Sequence, residues 1–159
     1  MQGVTIRAAT GADHDALVEQ FQGLNAVEDG ISHDRDSSRA GAEASLAASA
    51  RAVADSGGHR LVAERDGAVL GHLFLAFRTA ATYVRPEFRE HGYVSELFVR
   101  EAARGEGIGR ALLAEAERLT RQRGLDRLMI GVLAGNDGAE ALYRRTGFAP
   151  YALTLLKAL

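Results

Sequence analysis

Arg104-Gly105-Glu106-Gly107-Ile108-Gly109-Arg110 is the stretch on which the reading of this chain turns. Before it, Tyr93 to Val99 reads as a strand. After it, Ile108, Ala111, Leu112, Ala116 and Leu119 recur at helical spacing, which predicts a helix over Gly107 to Gly124. The first N–H groups of a helix have no partner within it, and the helix dipole adds positive potential there. Glycines remove the Cβ atoms that would hold a phosphate away. The turn therefore reads as a cradle for a diphosphate. A glycine-rich turn with no ligand has the same local pattern, so the motif alone leaves both readings open. Other phosphate loops fit less well. No G-x-x-x-x-G-K-[ST] run exists, and a G-x-G-x-x-G reading from Gly105 meets Arg110 at its sixth position. A dinucleotide fold would also tend to place this turn after its first strand.

Downstream, Arg127 to Leu133 reads as a strand, Asn136 to Thr146 as a helix and Tyr151 to Leu156 as a final strand. The strand–helix–strand unit over 93–133 is a crossover, so its two strands should lie parallel. Upstream, Ala68 to Phe77 is a longer strand, with Val69, Gly71, Leu73, Leu75 and Phe77 expected on one face. Asp66-Gly67 links it to a strand over His59 to Arg65. A helix from about Ser38 to Val53 ends at Gly57-Gly58. Another carries Ala16, Leu17, Phe21 and Leu24 and is expected to be capped by Asp13. Between these helices, Glu28 to Ser38 is polar, contains Gly30 and reads as a loop or helix break. Val4 to Arg7 is a short first strand.

With that element order, the sequence resembles the GNAT superfamily of acetyl-CoA-dependent N-acetyltransferases. The family's [QR]-x-x-G-x-[GA] signature is matched by Arg104-Gly105-Glu106-Gly107-Ile108-Gly109. Glu96-Leu97-Phe98-Val99 looks like its fourth strand, and Asn136 to Phe148 looks like its N-x-x-A-x-x-L-Y-x-x-x-G-F segment. The resemblance is specific from Tyr93 to Phe148 and rests on element order from Val4 to Phe77. It implies a single domain over residues 1–159 of α/β (α+β) class. The implied centre is a mixed, mostly antiparallel sheet of six to seven strands flanked by about four helices.

The resemblance also implies roles. The pantetheine arm of acetyl-CoA would pair with the strand at Leu97, Phe98 and Val99. Arg104, Gly105, Glu106, Gly107, Ile108, Gly109 and Arg110 would surround the pyrophosphate, chiefly through backbone N–H groups. Asn136 would bind the cofactor arm, and Tyr143 would stand near the thioester sulfur. Spacing alone leaves Tyr143 in a core stripe with Ala139, Leu142 and Thr146. Acetyl transfer to an amine needs a base, because an ordinary primary amine has a pKa of about 10. It also needs stabilisation of the leaving thiolate. Glu96, a carboxylate within an apolar strand, is the candidate base or amine binder, and Tyr143 the candidate acid. A water chain could carry the proton in place of Glu96. Glu28 and Asp29, in an acidic segment, together with Tyr93 and Glu96, are candidates for the acceptor site. Acids there would attract a cationic amine. His91 could line the same pocket, and His72 reads as a partnered structural histidine.

Composition fits this class. The chain has 159 residues, 47% hydrophobic and 25% charged, with a net charge of −2 and no cysteine. That excludes a cysteine nucleophile and a thiolate metal site, and gives no reason to expect nucleic acid. His33 lacks a second histidine at ligand spacing, so no metal is expected. No apolar run has the roughly 18 residues of a membrane span, and Met1 to Arg7 lacks a signal-type segment, so a cytoplasmic protein is expected. The expected partner is a small-molecule amine, with no nucleic acid and no membrane. The edge of the final strand offers a route to a homodimer. An acyl-CoA-binding sensor of weak activity, an enzyme acting on a protein or peptide amine, and a structural protein with an empty cleft are the alternatives.

Overall fold

The computed structural model describes residues 2–159. Its sheet has five strands in the order β1-β2-β3-β4-β5. β1 (Thr5–Ala8), β2 (His59–Arg65), β3 (Ala68–Thr79) and β4 (Glu90–Val99) pair antiparallel with their neighbours. β5 (Leu128–Ile130) lies parallel to β4, as the crossover rule requires.

Both faces of the sheet are covered. α3 (Ile108–Gln122) buries Ile108, Leu112, Leu113 and Ala116 against Leu61, Ala63, Leu73, Leu75 and Val94. α1 (His14–Ser32) and α2 (Arg39–Asp55) bury Leu17, Val18, Phe21, Leu46 and Val53 against Val62, Val69, Phe74 and Ala76. α4 (Asp137–Arg145) follows β5 and adds Tyr143 to the α3 side.

Two bulges set these faces. Between β2 and β3, Ala63 pairs with Gly71 and Glu64 with Val69, so Leu70 is left over. A residue left over reverses the alternation beyond it. Val69 therefore joins the α1–α2 core instead of sharing a face with Leu73 and Leu75, as the sequence had suggested. Between β3 and β4, Phe74 pairs with Glu96 and Leu75 with Val94, leaving Ser95 over. Val94 and Leu97 thus both face α3, while Glu96 turns toward α1 and α2.

Several expectations are corrected. The sheet has five strands, not six or seven. Tyr151 to Leu156 forms no strand: residues 148–159 carry no regular structure, and Leu153, Leu155 and Leu156 are exposed. Alternating apolar residues make a strand only against a partner edge, and this segment pairs with none. Glu28 to Ser32 is not a break, since α1 runs through Gly30 and stops where His33 takes φ 57°. One glycine costs a helix about 1 kcal/mol, less than the buried face of α1 supplies. Asp13 does not cap α1 with its side chain; it takes both Arg7 nitrogens at 2.8 Å and the Thr10 N–H at 2.7 Å. No helix among the described residues is long and apolar enough to cross a membrane.

Candidate active site

β4 and β5 pair only at Gly92–Leu128, Tyr93–Met129 and Val94–Ile130. From Ser95 onward β4 continues without β5, because the Ser95 bulge bends it and the chain leaves the strand at Gly131. A cleft of about 490 Å³ opens at this divergence. Leu97, Phe98 and Val99 form one wall, and Asn136, Gly138, Ala139, Leu142 and Tyr143 the opposite one. Arg104, Gly105, Gly107, Ile108, Gly109 and Arg110 form its end, and Leu24 and Val27 of α1 reach it from the other layer.

The glycine turn has the chemistry of an anion cradle. Gly105 and Gly107 have φ of 82° and 84°, a left-handed conformation that favours glycine. No side chain caps α3, so its first N–H groups are available to a ligand. A Cβ added at Gly105 would meet nothing within 4 Å, so the turn is open rather than packed under neighbours. Gly109 serves packing as well: a Cβ there would lie 3.0 Å from Leu142 Cδ2, so its small size lets α3 approach α4. The Glu106 side chain turns away, forming a 2.6 Å ion pair with Arg65. The pair holds the turn against the β2–β3 hairpin and leaves only the Glu106 backbone for a ligand. These residues fit a diphosphate.

Asn136 caps α4, its Oδ1 accepting from the Ala139 N–H at 3.2 Å. Its amide hydrogens remain for a ligand in the cleft. Tyr143, 9% exposed, packs edge-on against Phe148 with ring centroids 6.0 Å apart. Burial, with a smaller contribution from the Glu28 charge, pushes its hydroxyl up to about 12. The hydroxyl therefore stays protonated at neutral pH. Among the described residues, the one sealed side-chain polar atom without a partner is His72 Nε2, so the Tyr143 hydroxyl opens onto the cleft.

Glu96 stands beside the cleft rather than in its lining, on the α1–α2 side of β4. Its Oε1 accepts a 2.6 Å hydrogen bond from Ser49 Oγ of α2. Burial raises its pKa, the Ser49 bond opposes this, Glu28 adds to it, and Arg78 lowers it. A carboxyl raised in this way is a better match to proton transfer near neutral pH.

The acidic segment is not a set of free charges. Glu28 pairs with Arg35 at 2.9 Å, Asp34 pairs with Arg35 at 2.6 Å, and Asp29 accepts the Arg35 backbone N–H at 3.0 Å. Glu28 acts electrostatically on both Glu96 and Tyr143, whereas Asp29 is engaged in this loop. Tyr93 is half-buried on β4, with the Arg78 guanidinium 3.5 Å from its ring centre. His91 is buried and bonds the Arg89 carbonyl at 2.9 Å. His72 is enclosed, with Nδ1 2.8 Å from Gln20 Oε1 and its ring stacked on Phe21. Burial pushes it down to about 3, so it is a neutral structural group. No cluster of His, Asp and Glu suited to a metal occurs among the described residues.

Sequence reasoning missed Ser49, Arg78, Leu24 and Val27. The signal for Ser49 was present. Ala42, Leu46, Ser49 and Val53 follow helical spacing along the buried stripe of α2, where a lone serine needs a partner.

The family model described as acetyltransferase (GNAT) family matches residues 24–148. A mycothiol acetyltransferase from Beutenbergia cavernae is 39% identical over 55% of this chain and 27% of its own length. An IAA acetyltransferase from Azospirillum brasilense is 38% identical over 56% of this chain and 53% of its own. The chain thus spans between about a quarter and a half of these curated relatives. The crystal structure of a predicted acetyltransferase with acetyl-CoA from Clostridium acetobutylicum superposes with a TM-score of 0.72 at 16% identity, covering 98% of this chain and 96% of that one. With most of its length matched by the family model, the chain belongs to the acetyltransferase (GNAT) family.

Proposed function

We propose that this chain transfers the acetyl group of acetyl-CoA to a primary amine of a small, cationic molecule by direct attack in a ternary complex. The observation that carries this reading is the single cleft that joins an open, uncapped glycine turn to the Tyr143 hydroxyl where β4 and β5 part. The N–H groups around Gly105 to Arg110 hold the pyrophosphate, and the edge of β4 that β5 leaves unpaired at Leu97 to Val99, where Arg104 Nε donates to the Val99 carbonyl at 3.1 Å, lies along the acyl-bearing arm. Glu96 takes the proton from the incoming ammonium. The neutral amine nitrogen then bonds to the thioester carbonyl carbon and the carbon–sulfur bond breaks; the nitrogen gives up its second proton, through water, to the departing sulfur, which leaves as the thiol, and Tyr143 donates a hydrogen bond to that sulfur as its charge develops.

Glu28 and Glu96 favour a cationic acceptor through their charge. The mycothiol and IAA acetyltransferases are consistent with a small-molecule acceptor for this chain. A panel of amines assayed by thiol release from acetyl-CoA tests the proposal. Polyamines or aminoglycoside-like cations should be turned over at least tenfold faster than acidic amines. Equal rates would remove the cationic preference. No thiol release with any amine, despite CoA binding in calorimetry, would favour a sensor of acyl-CoA.

A further inference from the structure

Glu96 is tied to the rest of the protein by one side-chain hydrogen bond, and that bond spans two layers. Ser49 Oγ of α2 donates to Oε1 at 2.6 Å across 47 residues of sequence. The geometry requires two features together: the Ser95 bulge turns Glu96 toward α2, and the stripe Ala42, Leu46, Ser49, Val53 brings the serine against the sheet. Glu96 Oε2 has no hydrogen bond within the protein, and it is not sealed from solvent, since His72 Nε2 is the one such enclosed orphan among the described residues. The carboxylate is therefore held by one oxygen and free at the other. From the geometry we infer that Ser49 is a positioning residue for proton abstraction: its hydroxyl fixes the Glu96 carboxylate so that Oε2 faces the incoming ammonium.

This deepens the proposed function and rests on Glu96 being the base. A hydroxyl that donates to the ionised carboxylate favours the charged form. The charged groups acting on Glu96 from neighbouring elements are Glu28 of α1 and Arg78 of β3, and neither donates a hydrogen bond to it. Ser49 has no equivalent among them. Removing its hydroxyl should move the carboxyl titration upward, and the acid limb of kcat/KM should move with it. Below the limb activity falls; above it, where the carboxylate is ionised in both proteins, Ser49→Ala keeps only the deficit of a carboxylate no longer held in place. A merely structural role would lower activity at every pH alike and leave the acid limb where it is.

The test compares wild type, Ser49→Ala, Ser49→Thr and Glu96→Gln. Alanine suits α2, which is already alanine-rich, so Ser49→Ala is expected to fold. The titration of the Glu96 carboxyl carbon, followed by carbon-13 NMR with CoA bound, should shift upward by about one unit in Ser49→Ala. It should stay within about 0.3 unit of wild type in Ser49→Thr, which keeps a hydroxyl. The acid limb of thiol release should follow the same order and vanish in Glu96→Gln. An unmoved carbon titration in Ser49→Ala overturns the inference, and so does an equal shift in both serine variants. The NMR readout does not depend on turnover. A shifted titration in a protein that releases no thiol would leave Ser49 holding Glu96 but would sink the proposed reaction.

Discussion

Replacing Tyr143 by phenylalanine removes one oxygen from the wall of the cleft, and the structure sets the size of each consequence. The hydroxyl has no hydrogen-bond partner in the protein and opens onto the cleft. Its loss orphans nothing, so the melting temperature should change by no more than about 2 °C. In the proposed complex CoA is held by backbone groups of the turn that precedes α3, so its affinity should stay within about twofold. Turnover is different. With its pKa at about 12, Tyr143 is a weaker acid than a thiol, whose usual value is about 8.5. Complete proton transfer to the departing sulfur would be uphill by roughly 3.5 units. In the proposed reaction Tyr143 therefore acts mainly as a hydrogen-bond donor to developing negative charge. Loss of one such donor costs about 10²-fold in kcat, or about 2.7 kcal/mol of barrier. Thiol release under saturating acetyl-CoA measures kcat, calorimetry measures CoA binding, and a melting curve reports on folding. A variant with kcat within twofold of wild type refutes the assignment. A variant that loses CoA affinity in proportion to kcat shows instead that Tyr143 is a wall of the cleft.

Gly107→Ala should weaken CoA binding about tenfold, because an alanine at φ 84° costs about 1–2 kcal/mol and the turn can relieve it only by moving its N–H groups; unchanged affinity in calorimetry would show that the turn does not hold the cofactor. Gly58→Ala should lower the melting temperature by about 5 °C, since its Cβ would lie 2.0 Å from the Leu75 carbonyl oxygen and backbone would have to move; a smaller shift than 2 °C in calorimetric melting would contradict this packing. Asp13→Asn should cost about 2 kcal/mol near neutral pH in denaturant titration, because it breaks a charge-assisted pair with Arg7. Arg7 and the Thr10 N–H hold the Asp13 carboxyl well below the usual carboxylate range. Its stabilisation is fully present above the unfolded value of about 3.9 and is lost as pH falls through the folded one. The gap between wild type and variant should thus close only below about pH 4, and a gap that closes at higher pH would point to another group.

What the sequence disclosed and what it hid divide along a physical line. The glycine turn, the α3 stripe and the Asp66-Gly67 hairpin were legible because each is a local requirement: an uncapped helix start, a 3.6-residue period, a two-residue reversal. The bulges at Leu70 and Ser95 were not, because a bulge is a property of two paired strands and leaves no mark in either strand alone. Their effects reach the site. Without the leftover Ser95, Glu96 would share the α3 face with Val94, away from Ser49, and its carboxylate would point into an apolar core. The same reasoning accounts for the overcalled last strand. Tyr151, Leu153 and Leu155 alternate as a strand would, but pairing needs an edge, and β5 engages β4 through only three residues before the chain departs. The short β5 is also what opens the cleft. A longer β5 would have carried more of the sheet and closed the gap beside Leu97, so the feature that spoiled the strand count is the one that makes room for a ligand.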